Sequence, residues 1–196
     1  MDRIDQFTRA KAVATQIVES ISDDQLHLPT PCTEWDVHDI LAHVLDGDLL
    51  VIDWIQGVTP LPREERTREY FSALLGDAPQ AAVLAKLQEC YDLFLAQDAD
   101  RVVTSRMGDF SVADLVEKRI ADLVAHLWDL AIAAGQPVDY DPELVESVLE
   151  HYHAKLAGKP REGAPVAEPQ PVPEGATAAD RLAAFLGRSV VTPITA

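Results

Sequence analysis

The chain has 196 residues, 47% of them hydrophobic, and a formal net charge of −17. This length and apolar content suit one domain with its own core, whereas the charge argues against nucleic acid and disfavours anionic membrane surfaces, which are bound by clustered Lys and Arg. No run reaches the roughly 18–20 uncharged apolar residues of a membrane helix. The N-terminal MDRIDQFTRA lacks the order of a signal peptide, and Cys32 and Cys90 are too few for a disulfide framework, so a cytoplasmic protein is expected.

Residues 4–21 carry Ile4, Phe7, Ala14, Ile17, Val18 and Ile21 at three- and four-residue steps, which predicts a first helix. A turn through Leu28-Pro29-Thr30-Pro31 follows. The box Thr33-Glu34-Trp35-Asp36 then predicts a second helix opening at Thr33 and running to Gly57. Residues 58–78, broken by Pro60, Pro62 and Gly76, read as loop with room for a short helix. A third helix is expected from Pro79, a favoured first position, through Leu95. Gly108-Asp109-Phe110 reads as a turn, and no strand pattern is evident. The fourth helix has the clearest signals: Ser111-x-x-Asp114 starts it, and Gly135 with Pro137 stops it.

A fifth helix begins at Asp141-Pro142 and stops at Gly158. Five prolines between 160 and 173 predict an extended arm over the surface, and Thr177-x-x-Asp180 caps a last short helix ending at Gly187. The expected fold is therefore all-α. Residues 1–137 form a four-helix bundle, and residues 138–196 add a helix and a wrapping arm packed on the same domain.

Helical geometry sorts the polar residues. Asp122 and His126, four apart, project from one flank of the Leu123-Leu127-Leu130 stripe, with Arg119 and Asp129 close by. On the second helix His43 heads a line of its own, His43-Gly47-Leu50-Trp54, and the small Gly47 leaves space beside the imidazole. Two imidazoles and one carboxylate from facing helices make a three-ligand metal set with open positions, the pattern of a catalytic site. Leu50 and Trp54 are expected to supply an apolar wall to its pocket. Asp39, four before His43, and Asp129, three after His126, are rival ligands. Cys32 reads as a small structural residue; His27 and His38 show no partner, and His151 and His153 read as solvated.

Three motifs carry a resemblance. TPCTEWDVHDILAHV at 30–44, DLVAHLWDLAIAAGQP at 122–137 and VPEGATAADRLAAFLGR at 172–188 are similar to segments of the mycothiol-dependent maleylpyruvate isomerase family. The first two resemble its metal-binding domain, a DinB-like four-helix bundle, and the third looks like the close of a single-domain branch. The resemblance implies that His43, Asp122 and His126 hold one divalent metal. Zinc is the first choice, with nickel or manganese as alternatives, and a mycothiol-type thiol is the cosubstrate.

The implied activity is a thiol transferase or isomerase acting on a small electrophile. A metal-dependent hydrolase and a non-catalytic metal or ligand binder are the competing readings. Bundles of this type often pair into homodimers. Two departures stand out: Asp122 replaces the Glu of the isomerase proper, and residues 138–196 stand in place of its separate C-terminal domain. The second argues against maleylpyruvate itself as the substrate.

Overall fold

The computed structural model describes residues 2–105, 108–162 and 166–190. Its elements are α1 (Arg3–Ser20), α2 (Val37–Gln56), α3 (Arg68–Leu75), α4 (Pro79–Leu95), the strands β1 (Val102–Ser105) and β2 (Gly108–Ser111), α5 (Val112–Ala133), α6 (Pro142–Leu156) and α7 (Ala178–Phe185). Short 3-10 turns occupy Asp23–Gln25 and Arg63–Glu65. Among the described residues no helix is long and apolar enough to cross a membrane. The chain is thus mostly helical.

Four helices close a ring: α1 packs on α5 and α4, and α2 packs on the same two. Phe7, Ile40, Leu41, Leu87, Phe94, Leu123 and Leu127 fill its centre and are essentially inaccessible to water. Each such side chain stabilises the fold by roughly 1.5–3 kcal/mol relative to exposure. Phe7 meets Tyr91 and Phe94 edge-on, with ring centroids 5.6 and 5.5 Å away, which joins α1 to α4. α3 crosses α2 and α4, and α6 lies on α1 and α5.

The second helix is capped three residues later than its first capping signal indicates. Thr30 Oγ1 donates to the carbonyls of Cys32 and Trp35 and accepts from the Cys32 amide, closing residues 30–35 into a turn. Pro29 and Asp36 form an isolated bridge across its base. The cap is Asp36, whose carboxylate accepts from Asp39 N at 2.8 Å while Asp39 reaches back to Asp36 N.

The second difference is an antiparallel hairpin, Val102↔Ser111 to Ser105↔Gly108, where no strand was expected. The triplet Gly108-Asp109-Phe110 belongs to its second strand rather than to a turn. Four-residue strands are too short for alternation to be read against background.

The C-terminal arm lies along the bundle. Its residues up to Ala176 are without helix where described, and α7, capped by Thr177, packs on α6 and α5. Trp128 of α5 donates from Nε1 to Asp180 Oδ1 at 2.9 Å. Leu182 and Leu186 are buried, although Val172 is exposed. Gly187 has φ +97°, and a Cβ there would come within 2.5 Å of the Ala167 Cβ, so only glycine lets the arm cross itself at this point.

Candidate metal centre

α2 and α5, neighbours in the ring, face each other with His43 on one and Asp122 and His126 on the other. His43 Nε2 stands 3.2 Å from Asp122 Oδ1, and the two imidazole centroids are 4.7 Å apart at 72°. One donor atom from each of the three residues lies within 4.8 Å of the other two. Trp35, at the end of the turn before α2, covers both rings, with centroids 4.9 Å from His43 and 5.6 Å from His126.

Each α5 donor is held from behind. His126 Nδ1 meets Asp129 Oδ2 at 3.1 Å, leaving Nε2 as the free nitrogen. Asp129, fully buried, also accepts from Arg188 Nη2 at 2.8 Å and from its Nε at 3.2 Å. The first residue after Gly187 therefore reaches under the centre. Asp122 Oδ2 accepts from Arg119 Nη1 at 3.1 Å, and Arg119 is itself buried, donating to Asp48 Oδ1 at 2.6 Å and to the Val44 carbonyl at 3.0 Å.

Gly47 faces this arrangement. A Cβ there would sit 3.4 Å from Arg119 Nη1 and 3.5 Å from Asp122 Oδ2, in ordinary van der Waals contact. The space foreseen beside His43 is taken up by the guanidinium and the carboxylate.

The electrostatics favour an ionised acid. Burial alone pushes the Asp122 carboxyl up, but the His43 hydrogen bond and the nearby His43, His126 and Arg119 outweigh it and hold the group well below the ordinary carboxylate range. Asp129 is likewise lowered against burial, by His126 and Arg188. A carboxylate and two imidazoles, one fixed by a carboxylate behind it, suit a borderline divalent ion.

Among the described residues two other groups bring metal-binding residue types together, but their carboxylates are already engaged. In Cys32–His126–Asp129 the carboxylate is paired with Arg188. Burial and Asp129 also push the Cys32 thiol up, away from the thiolate that a metal needs. In Asp36–His38–Asp39 the acids cap α2 and pair with Arg68 at 2.8 and 3.3 Å.

A cavity of about 300 Å³ opens beside His43, lined among others by Trp35, Ala42 and Phe71. Leu50 and Trp54 are not among its lining residues; the cavity lies on the Trp35 side of His43. Trp35, Asp48 and Arg188 were not singled out from the sequence. Asp48 had a readable signal: it falls four after Val44 and three before Val51, a charge within an apolar stripe. Arg188 had none, because its partner lies 59 residues away. Two histidines differ from expectation: His27 pairs with Asp36 at 3.1 Å and His151 with Glu117 at 3.2 Å.

The fold and site define an all-α bundle with a cluster of metal-binding residue types between two of its helices. The family model described as mycothiol maleylpyruvate isomerase N-terminal domain matches residues 7–131, and the chain belongs to that family. Over 192 residues it is also 32% identical to the proteins named "Uncharacterized protein Rv0738" and "Uncharacterized protein MT0763", from the H37Rv and CDC 1551 strains of Mycobacterium tuberculosis. Each alignment covers 97% of this chain and the full length of the relative. No solved structure matches significantly.

Proposed function

We propose that the chain binds one divalent metal through His43, Asp122 and His126 and uses it to activate a low-molecular-weight thiol of the mycothiol type. The thiol would then attack a small electrophile, as in a thiol transferase or a thiol-dependent isomerase. The observation that carries this reading is the convergence of the three donors on one point, with His126 tied back by Asp129. Family membership supplies the thiol.

When bound, zinc (or nickel or manganese on the same donors) supplies the Lewis acidity that makes a thiol a thiolate near neutral pH. The chain's own residues do the rest. Asp122 stays ionised and balances part of the ion's charge. Asp129 and Arg188 fix the plane and tautomer of His126. Trp35 shields one face from water, which strengthens electrostatic interactions beneath it. The cavity beside His43 admits the electrophile.

Metal analysis of the purified protein, paired with calorimetric titration by mycothiol, tests this reading. One ion per chain is expected, with saturable thiol binding that is lost when the metal is stripped. His43→Ala, Asp122→Ala and His126→Ala should each lower metal content sharply. An undiminished one-to-one stoichiometry in His126→Ala would overturn the ligand set. Metal-dependent hydrolysis of a model ester without any thiol would favour activated water instead.

A further inference from the structure

On the far side of α5 a second cavity, of about 340 Å³, opens between α1, α5 and α6. A helix turns by roughly 100° per residue, so Glu117, Ile120 and Ala121, which line this cavity, leave α5 roughly 100–160° away from Asp122. The cavity is therefore separate from the His43–Asp122–His126 centre. Its polar lining comes from Gln6, Glu117, Ser147, Glu150 and His151, and among the described residues it includes neither Lys nor Arg. Ile120, Ala121 and Val148, all buried, add an apolar floor.

The hydrogen bonds around this cavity leave acceptors over. Arg3 Nη1 donates to Glu117 Oε2 at 2.5 Å, and Glu117 Oε1 stands 3.2 Å from His151 Nδ1. In the neutral imidazole that carboxylate holds the proton on Nδ1, so Nε2 presents a lone pair. His151 Nε2 is buried without a hydrogen-bond partner in the protein, and what it lacks is a donor. Gln6 Nε2 donates to Ser147 Oγ at 2.9 Å, which leaves the amide Oε1 and a second Oγ lone pair for other donors. Glu150 is exposed and has no cationic partner among the described residues. Unengaged acceptors thus outnumber unengaged donors, beside one uncompensated negative charge.

We propose that this cavity binds a small primary ammonium ion, whose N–H groups reach Glu150, Ser147 Oγ and His151 Nε2 while its alkyl part lies on Ile120, Ala121 and Val148. An ammonium carries three donors and no acceptor, which matches the excess of acceptors. Its charge offsets that of Glu150, and the net charge of −17 raises the local concentration of cations. A quaternary ammonium has the same charge but no N–H to give, and an alcohol has one donor and no charge. The site goes beyond the metal reading and needs no ion at the His43 centre.

The test is calorimetric titration with n-butylammonium, butyltrimethylammonium and 1-butanol, in physiological salt to screen the diffuse field of the chain. n-Butylammonium should bind one to one, at least about tenfold more tightly than either control, which is the value of one charge-assisted hydrogen bond. It should also shift the Nε2 nitrogen-15 resonance of His151, identified as the signal missing from His151→Gln. Glu150→Gln should weaken binding about three- to fivefold, as for a solvent-exposed ion pair, and should keep the wild-type melting temperature. Binding should be unchanged in His126→Ala; an amine held instead by a metal at the His43 centre would be lost there and kept in Glu150→Gln, which would overturn the site. So would no n-butylammonium binding, equal binding of butyltrimethylammonium, or an unmoved His151 resonance at saturation.

Discussion

Replacing Arg119 by Met removes the cation at the centre of the polar interior while keeping the length of the stem. In the native protein Arg119 is 2% exposed and Asp48 is 0% exposed, so the Arg119–Asp48 pair at 2.6 Å is sealed from water. The variant leaves Asp48 as a buried carboxylate without its cation, and its Oδ2 already has no partner. Breaking one half of such a pair costs about 3–5 kcal/mol. Against a total stability of about 5–15 kcal/mol this is about a fifth or more. At about 2–4 °C per kcal/mol for a chain of this size, the melting temperature should fall by about 6–20 °C.

Urea denaturation followed by far-UV circular dichroism measures the loss, and a second variant separates its causes. Asp48→Leu with Arg119→Met replaces both charges by apolar groups, so most of the stability should return. The double variant nonetheless lacks the Arg119 Nη1 bond to Asp122 Oδ2, and its metal affinity should stay about 10–100-fold below wild type. A single-variant cost below about 1 kcal/mol would refute the reasoning, as would a double variant no more stable than the single one.

Other perturbations probe separate parts of the molecule. Asp141 caps α6 and is bound by Arg9; burial pushes its carboxyl up, but Arg9 and the Leu144 amide pull it below the ordinary carboxylate range. Its stabilising effect is therefore complete above the unfolded value of about 3.9 and disappears as pH falls through the lower folded value. Asp141→Asn should lower the urea midpoint at neutral pH, and the gap from wild type should close under strong acid; a gap independent of pH would refute this. Gly187→Ala forces a Cβ onto Ala167 at φ +97°, at a cost of about 1–3 kcal/mol, and should loosen Arg188 from Asp129, seen as faster amide exchange in α7. Asp122→Glu should retain one metal per chain by elemental analysis, because the longer acid is the one its isomerase relatives are expected to use.

The bundle was legible because four long helices carry apolar stripes between strong terminal signals. Ser111, Asp141 and Thr177 cap the helices they were expected to cap, and Pro79 starts α4. Thr33 and Asp36 both head x-x-Asp patterns, and local spacing does not choose between them. The choice came from Thr30 tying off the turn, a contact that depends on the folded path of the chain. The same limit applies to the site. His43, Asp122 and His126 could be grouped from helical phase together with family resemblance, since phase decides which flank a residue occupies. Phase alone does not say which side of His43 is open, so Leu50 and Trp54 were named where Trp35 lines the cavity.

A bundle made only to be stable gains little from its polar interior. Asp48, Arg119, Asp122, Asp129 and Arg188 lie in or beside the core, three carboxylates against two guanidiniums, for a net charge of −1. Buried pairs of this kind are often no more stabilising than apolar residues of the same volume, so their stability contribution does not account for them. Their geometry does: each arginine ends on a carboxylate that either is one of the three grouped donors or holds one in place. A divalent cation at their focus, as proposed above, would reverse the sign of the local charge. Replacing Arg188 by Gln should weaken Asp129's hold on His126, so metal affinity should fall while the bundle still melts cooperatively; a fall in stability with metal affinity unchanged would reduce Arg188 to an anchor for the arm.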